Sequence, residues 1–227
     1  MPAYNEEGNI RDVVEEWHAV VDLIGSESEL VIWNDGSTDN TQDILEELLN
    51  EYPRLNVKSK QNSGHGATLV KAYSYAVLSN NFYVFQTDSD GQTSASDFWK
   101  FWEKREDYDF IIGIRKNRND GVFRKIVAKC LKFLLFIIFG VNVADANTPF
   151  RLIKRDLLKY LLEKVPDDFF LSNALIATLA VKEKCTLKWI DIGFKPRENG
   201  KNSINLRQIC KIGFSSVGEM MGVKKDL

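Results

Sequence analysis

Apolar positions recur along the first half of the chain in two alternating rhythms. Short runs such as Leu30-Val31-Ile32-Trp33 and Phe82-Tyr83-Val84-Phe85 are dense in Val, Ile and aromatics and end in polar turns, as buried strands do. Between them apolar residues return every three or four positions. Val13, Val14, Trp17, Val20 and Val21 share one helix face. Ile44, Leu45, Leu48 and Leu49 share a second, and Leu69, Val70, Tyr73 and Val77 a third. Strand and helix alternate in this way through residue 113. That predicts an α/β fold with a mainly parallel, Rossmann-like central sheet flanked by helices. The remainder is more helical, with one strand over 187–194 and an amphipathic stretch over 204–221. The run at 131–143 is apolar nearly all round. It reads either as a buried core helix or as a helix lying in a membrane interface. It is shorter than the roughly 20 apolar residues that cross a bilayer.

The polar residues that end these runs carry the chemistry. Asp88-Ser89-Asp90 closes the second strand run, and Gly91 follows. Open α/β sheets bind ligands at the carboxyl ends of their strands. Two carboxylates there suit Mg²⁺ or Mn²⁺, which take oxygen ligands and leave positions for phosphate and water. An isolated pair of this kind is more often a solvated turn. An EF-hand loop is excluded, because Gly91 stands at the fourth loop position rather than the sixth. Asp35 lies just past the first strand run, within Asn34-Asp35-Gly36-Ser37-Thr38-Asp39. Asn62-Ser63-Gly64-His65-Gly66 opens the third helix, where glycines allow close backbone approach and a helix N-terminus favours anions. Pro2-Ala3-Tyr4-Asn5-Glu6 precedes the first helix.

Together these four segments, in this order and spacing, resemble the family 2 glycosyltransferases, which have the GT-A fold. The similarity continues through Gly113-Ile114-Arg115, residues 145–151 and Arg197-Glu198-Asn199-Gly200-Lys201, so it covers nearly the whole chain. The later segments look most like the dolichyl-phosphate mannose synthase and polyprenyl-phosphate glycosyltransferase branch. Ile114 replaces the branch's Ser, Pro149 replaces a Gly, and Asn202 intervenes before Ser203. Relatives carry a hydrophobic strand before the first motif. Here Met1 directly precedes Pro2, so either the chain begins late or the first strand is missing.

The resemblance implies a nucleoside diphosphate sugar donor. Pro2, Tyr4, Glu6 and Asp35 would line the nucleoside site, with Asn62, Gly64, His65 and Gly66 beside it. His65 is also a candidate contact for phosphate or metal. Asp90 would hold Mg²⁺ or Mn²⁺, and Asp88 would complete the metal shell or face the ribose. Arg115 and Arg151 would contact phosphate, since guanidinium is a planar donor that stays charged. Gln92 would orient sugar or phosphate, and Lys201 would sit on a lid. Asp145 would organise the acceptor side or pair with an Arg. Asp168 would be the general base for a hydroxyl acceptor, or merely a favourable charge at the start of a helix near Phe169.

Composition narrows the remaining choices. A chain of 227 residues with 44% hydrophobic content suits one catalytic domain over 1–200. Its nucleotide-sugar half would be 1–113 and its acceptor half 114–200, with a lid and amphipathic helix over 201–227. The net charge of −2 hides an acidic first 60 residues and a basic stretch over 115–159. That stretch suits diphosphates, lipid phosphates or an anionic leaflet, with peripheral membrane contact through 122–143. No basic recognition motif points to nucleic acid. Cys130, Cys185 and Cys210 form no Cys-x-x-Cys pair and read as buried thiols in a reducing cytoplasm. His18 reads as a helix-flank residue without a special task. The N-terminus is acidic and polar, unlike a signal peptide. The expected protein is a cytoplasmic, metal-dependent inverting glycosyltransferase, peripheral on the inner face of the membrane, acting on a polyprenyl phosphate. A saccharide hydroxyl acceptor, a non-catalytic nucleotide-sugar-binding or scaffold role, and association into a homo-oligomer stay open.

Overall fold

The computed structural model describes the backbone of residues 1–115, 121–196 and 206–225, and within these the side chains outside 121–126 and 206–214. A two-residue strand, β1 (Pro2–Ala3), leads into α1 (Ile10–Ile24), β2 (Leu30–Asn34), α2 (Thr41–Leu48), β3 (Leu55–Ser59), α3 (His65–Leu78) and β4 (Tyr83–Gln86). Then follow α4 (Phe98–Trp102), β5 (Phe110–Arg115), α5 (Gly121–Phe139), β6 (Arg151–Lys154), α6 (Arg155–Leu162), α7 (Ser172–Lys182), β7 (Leu187–Ile192) and α8 (Leu206–Lys225).

The strands form two groups. β1, β2 and β3 pair in that order, all parallel. The second group is ordered β4-β6-β5-β7. There β6 opposes both neighbours, while β5 and β7 run together. The expected mainly parallel sheet is thus present with one reversed strand. Side chains alternate across the second group and bury on both sides. Phe110, Ile112 and Ile153 join a core built with α3, α5, α6, α7 and α8. Ile111 and Leu152 join another, built with α1, α2 and α4. Strands covered on both faces need apolar residues at successive positions, which is why the β5 run reads as continuously hydrophobic.

Within the described residues β1 is two residues long. Pro2 and Ala3 register with Trp33 and Asn34, and the Met1 amine donates to the Val31 carbonyl at 2.7 Å. Upstream of that contact, β2 and β4 are separated by a cavity of about 530 Å³. Val31 and Trp33 line one side of it and Tyr83, Val84 and Phe85 the other. The 82–85 run is therefore less buried than its composition suggests. Tyr83, Val84 and Phe85 are half-buried, and Phe82 precedes the strand and is 79% exposed.

Several finer expectations change. The five apolar residues assigned to α1 are all buried, but Leu49 lies beyond the end of α2 and is exposed. His18 faces inward from α1, with Nδ1 3.2 Å from Asp22 and the Tyr52 ring beside it. Cys130 is exposed rather than buried, because it lies on the outer side of α5. The 131–143 run divides between two faces. Leu135, Ile138 and Phe139 are core, while Phe133, Phe136 and Ile137 are exposed. α8 packs against α5 and buries Met220 and Val223. Among the described residues no helix is long and apolar enough to cross a membrane.

Candidate active site

The carboxyl ends of β1, β2 and β4 meet at the start of α3, and the chemistry read from the sequence collects there. β1 ties the neighbouring ends together. The Ala3 carbonyl accepts from the Asp35 amide at 2.8 Å, and the Pro2 carbonyl accepts from the Ser89 hydroxyl at 2.8 Å. Two glycines let these loops approach. A side chain at Gly36, whose φ is +66°, would stand 2.8 Å from the Asn62 amide nitrogen. One at Gly66 would lie 2.3 Å from the Phe170 carbonyl oxygen.

The loop after β1 is locked onto the loop after β2. Asn5 Oδ1 accepts from the Thr38 amide at 2.8 Å. The Asn5 amide donates to Ser37 Oγ, and the Glu6 amide to Thr41 Oγ1. Glu6 is buried, and its carboxylate accepts from Asn9 Nδ2 at 2.8 Å at the start of α1. Its side chain serves that turn, whereas Tyr4 is exposed. Asp35 is buried and accepts from the Ser63 and Gly64 amides at 2.9 and 3.0 Å, and from Lys60 Nζ. Lys60 also donates to Ser63 Oγ at 2.6 Å. Lys60 was missed in the sequence, although it lies one residue past β3 as Asp35 lies one past β2. The carboxyl-edge rule that selected Asp35 would have selected it too.

Asp88 and Asp90 flank a buried Ser89 and are themselves partly exposed. Asp88 Oδ1 lies 4.0 Å from His65 Nε2 and 3.4 Å from Gln86 Nε2. Gln86 in turn accepts from the Tyr73 hydroxyl at 3.1 Å, and burial pushes that phenol's pKa upward. Asp90 accepts from the Gln92 amide at 3.1 Å. Gln92 is occupied elsewhere: its side chain donates to the Lys195 carbonyl at 2.9 Å, and its own carbonyl accepts from the Lys195 amide. It pins the segment after β7 rather than reaching into the site. Asn62 is exposed beside Gly64.

Arg115 and Asp145 pair bidentately, at 2.9 Å from Nε and 2.8 Å from Nη2, with the guanidinium 5.3 Å from the Phe194 ring centre. Asp145 thus pairs with an Arg, one of its two expected roles. The expected phosphate contact of Arg151 does not fit its position. Its guanidinium is fully buried and donates to the Thr148, Asn173 and Ala146 carbonyls at 2.6–2.7 Å. Burial lowers its pKa to about 10, opposed by Tyr73, Asp145 and Asp88. It braces the 145–148 loop from inside. Asp168 lies exposed in a turn, and α7 begins at Ser172 rather than near Phe169. The helix-terminus role therefore fails on distance along the chain. The two following carbonyls, Phe169 and Phe170, abut Gly66 at the start of α3. Lys201 lies outside the described residues.

The family model for glycosyl transferase family 2 matches residues 1–162. The chain belongs to that family. An uncharacterised protein of Methanocaldococcus jannaschii is 30% identical over 194 residues, 80% of this chain and 81% of that one. An undecaprenyl-phosphate 4-deoxy-4-formamido-L-arabinose transferase of Pectobacterium carotovorum is 26% identical over 165 residues, 71% of this chain. The match spans half the length of that transferase. Among solved structures, glucosyl-3-phosphoglycerate synthase of Mycobacterium tuberculosis, crystallised with Mn²⁺ and UDP-glucose, superposes with a TM-score of 0.68. Its identity is 19%, and the match covers 97% of this chain and 77% of that one. At that identity the likeness establishes the GT-A fold of this family 2 chain.

Proposed function

We propose that this family 2 chain moves one sugar from a nucleoside diphosphate sugar to a polyprenyl phosphate, with a divalent cation and with inversion at the anomeric carbon. The observation that carries the reading is the convergence of Asp88, Asp90 and the Asp35–Gly64 contact on one sheet edge, bridged by Pro2 and Ala3. The donor set fits Mg²⁺ or Mn²⁺. Both side chains offer carboxylate oxygen, and among the described residues no third His, Cys, Asp or Glu completes a closed cage. That leaves coordination positions for diphosphate oxygens and water. Bound there, the cation would neutralise charge on the departing nucleoside diphosphate.

The chain's own residues divide the remaining work. Asp35, held by Lys60 and two amides, orients the nucleoside side within residues 1–113. His65 and the α3 N-terminus face the diphosphate. Arg115 and Asp145 shape the acceptor side. In single displacement an acceptor phosphate oxygen forms the new bond to the anomeric carbon. The bond from that carbon to the donor's diphosphate oxygen breaks, and the electron pair leaves with the nucleoside diphosphate. No proton has to be removed. The names of the 25–26% identical relatives support this acceptor. Among the described residues Cys130 and Cys185 are unpaired, which supports a reducing compartment.

A saccharide hydroxyl acceptor is the second reading, favoured by one observation: Asp168 is exposed on the turn packed against Gly66. The test is a nucleotide-sugar panel offered with either a short-chain polyprenyl phosphate or a soluble saccharide. The lipid-phosphate reading predicts lipid-linked product and an Asp168→Asn variant within a few-fold of wild type. Loss of about 100-fold or more in that variant, the usual contribution of a general base, would favour the hydroxyl reading.

A further inference from the structure

We propose that the outward face of α5 is a docking surface for an anionic lipid bilayer. Lys129, Lys132, Phe133, Phe136 and Ile137 stand at i, i+3, i+4, i+7 and i+8, so they form one stripe along the helix. All five are exposed, with Phe133 at 62%, Phe136 at 55% and Ile137 at 58%. The opposite side of the helix supplies Leu135, Ile138 and Phe139 to the core, so the orientation of the stripe is fixed by packing. Two phenylalanines and an isoleucine on one exposed stripe make a contiguous apolar patch, which marks an interaction surface. Its lysines lie toward one end, Lys129 about 12 Å and Lys132 about 7.5 Å along the axis from Ile137 at about 1.5 Å per residue. This is the layout of a helix lying in the headgroup plane, apolar side chains down and ammonium groups at the phosphates. α8, packed against α5, ends in exposed Met221, Lys224 and Lys225, which have the same mixed character.

Charge decides the occupant. A second copy meeting this face would bring the same stripe, which has no acidic residue to answer Lys129 and Lys132. An anionic bilayer answers both the lysines and the apolar side chains. The purpose of docking rests on the proposed lipid-phosphate acceptor, which sits in that bilayer, but the surface itself is independent of it.

Co-sedimentation with vesicles of mixed zwitterionic and anionic phospholipid, with and without the anionic lipid, reads the surface directly. The wild type is expected to sediment at low salt with anionic vesicles. The Phe133→Ser/Phe136→Ser pair should lose binding about tenfold or more while melting like wild type, because both side chains are exposed. Lys129→Gln/Lys132→Gln should lose about fivefold per lysine, and only on anionic vesicles. Wild type remaining in the supernatant, or serine variants that bind normally, would overturn the proposal. So would a concentration-dependent dimer, seen by light scattering, that the serine variants abolish, since the face would then be a self-contact. A parallel assay with a detergent-dispersed short-chain lipid phosphate separates the two ideas. Transfer there without vesicle binding overturns docking alone. Vesicle binding without transfer to any lipid phosphate upholds docking and counts against the acceptor reading.

Discussion

At the scale of single residues, two arginines that look alike in the sequence have different jobs. Arg115 ends β5 and pairs with Asp145, while Arg151 begins β6 and is spent on three carbonyls. Arg151→Ala should destabilise the fold by about 3–5 kcal/mol, because it strips charged hydrogen bonds from buried carbonyls and leaves a void. Thermal or denaturant melting checks this. A variant that melts like wild type and loses only activity would mean that the guanidinium meets substrate instead. The carboxylates at strand ends were legible because their neighbours set them apart: Asp88 and Asp90 follow a run of aromatics, and Asp35 follows Trp33 and Asn34. Arg151 was not legible in this way. Its burial depends on carbonyls of residues 146, 148 and 173 converging in space, which no local pattern records. Lys60 was hidden for a simpler reason, since β3 alternates apolar Leu55 and Val57 with polar residues and did not stand out as a strand.

At the scale of elements, β1 holds the loops of the site with two residues: its Ala3 carbonyl accepts from the Asp35 amide and its Pro2 carbonyl from the Ser89 hydroxyl. The period of α5 was ambiguous in the sequence, because apolar residues occupy both its core face and its exposed stripe.

At the scale of the whole molecule, the split arrangement places three loops and one helix start at a single edge. The two cores on either side of the strands hold that edge in place. The metal, donor and acceptor readings all depend on this edge working as one site. The most direct measurement follows labelled sugar from a nucleotide-sugar panel into polyprenyl phosphate, with Mn²⁺ or Mg²⁺, with chelator, and with Asp90→Ala. The expected result is lipid-linked label that needs the cation, vanishes in chelator and is absent from Asp90→Ala, although that variant melts like wild type because the carboxylate is partly exposed. Full transfer in chelator, or near-normal turnover by Asp90→Ala, would contradict it.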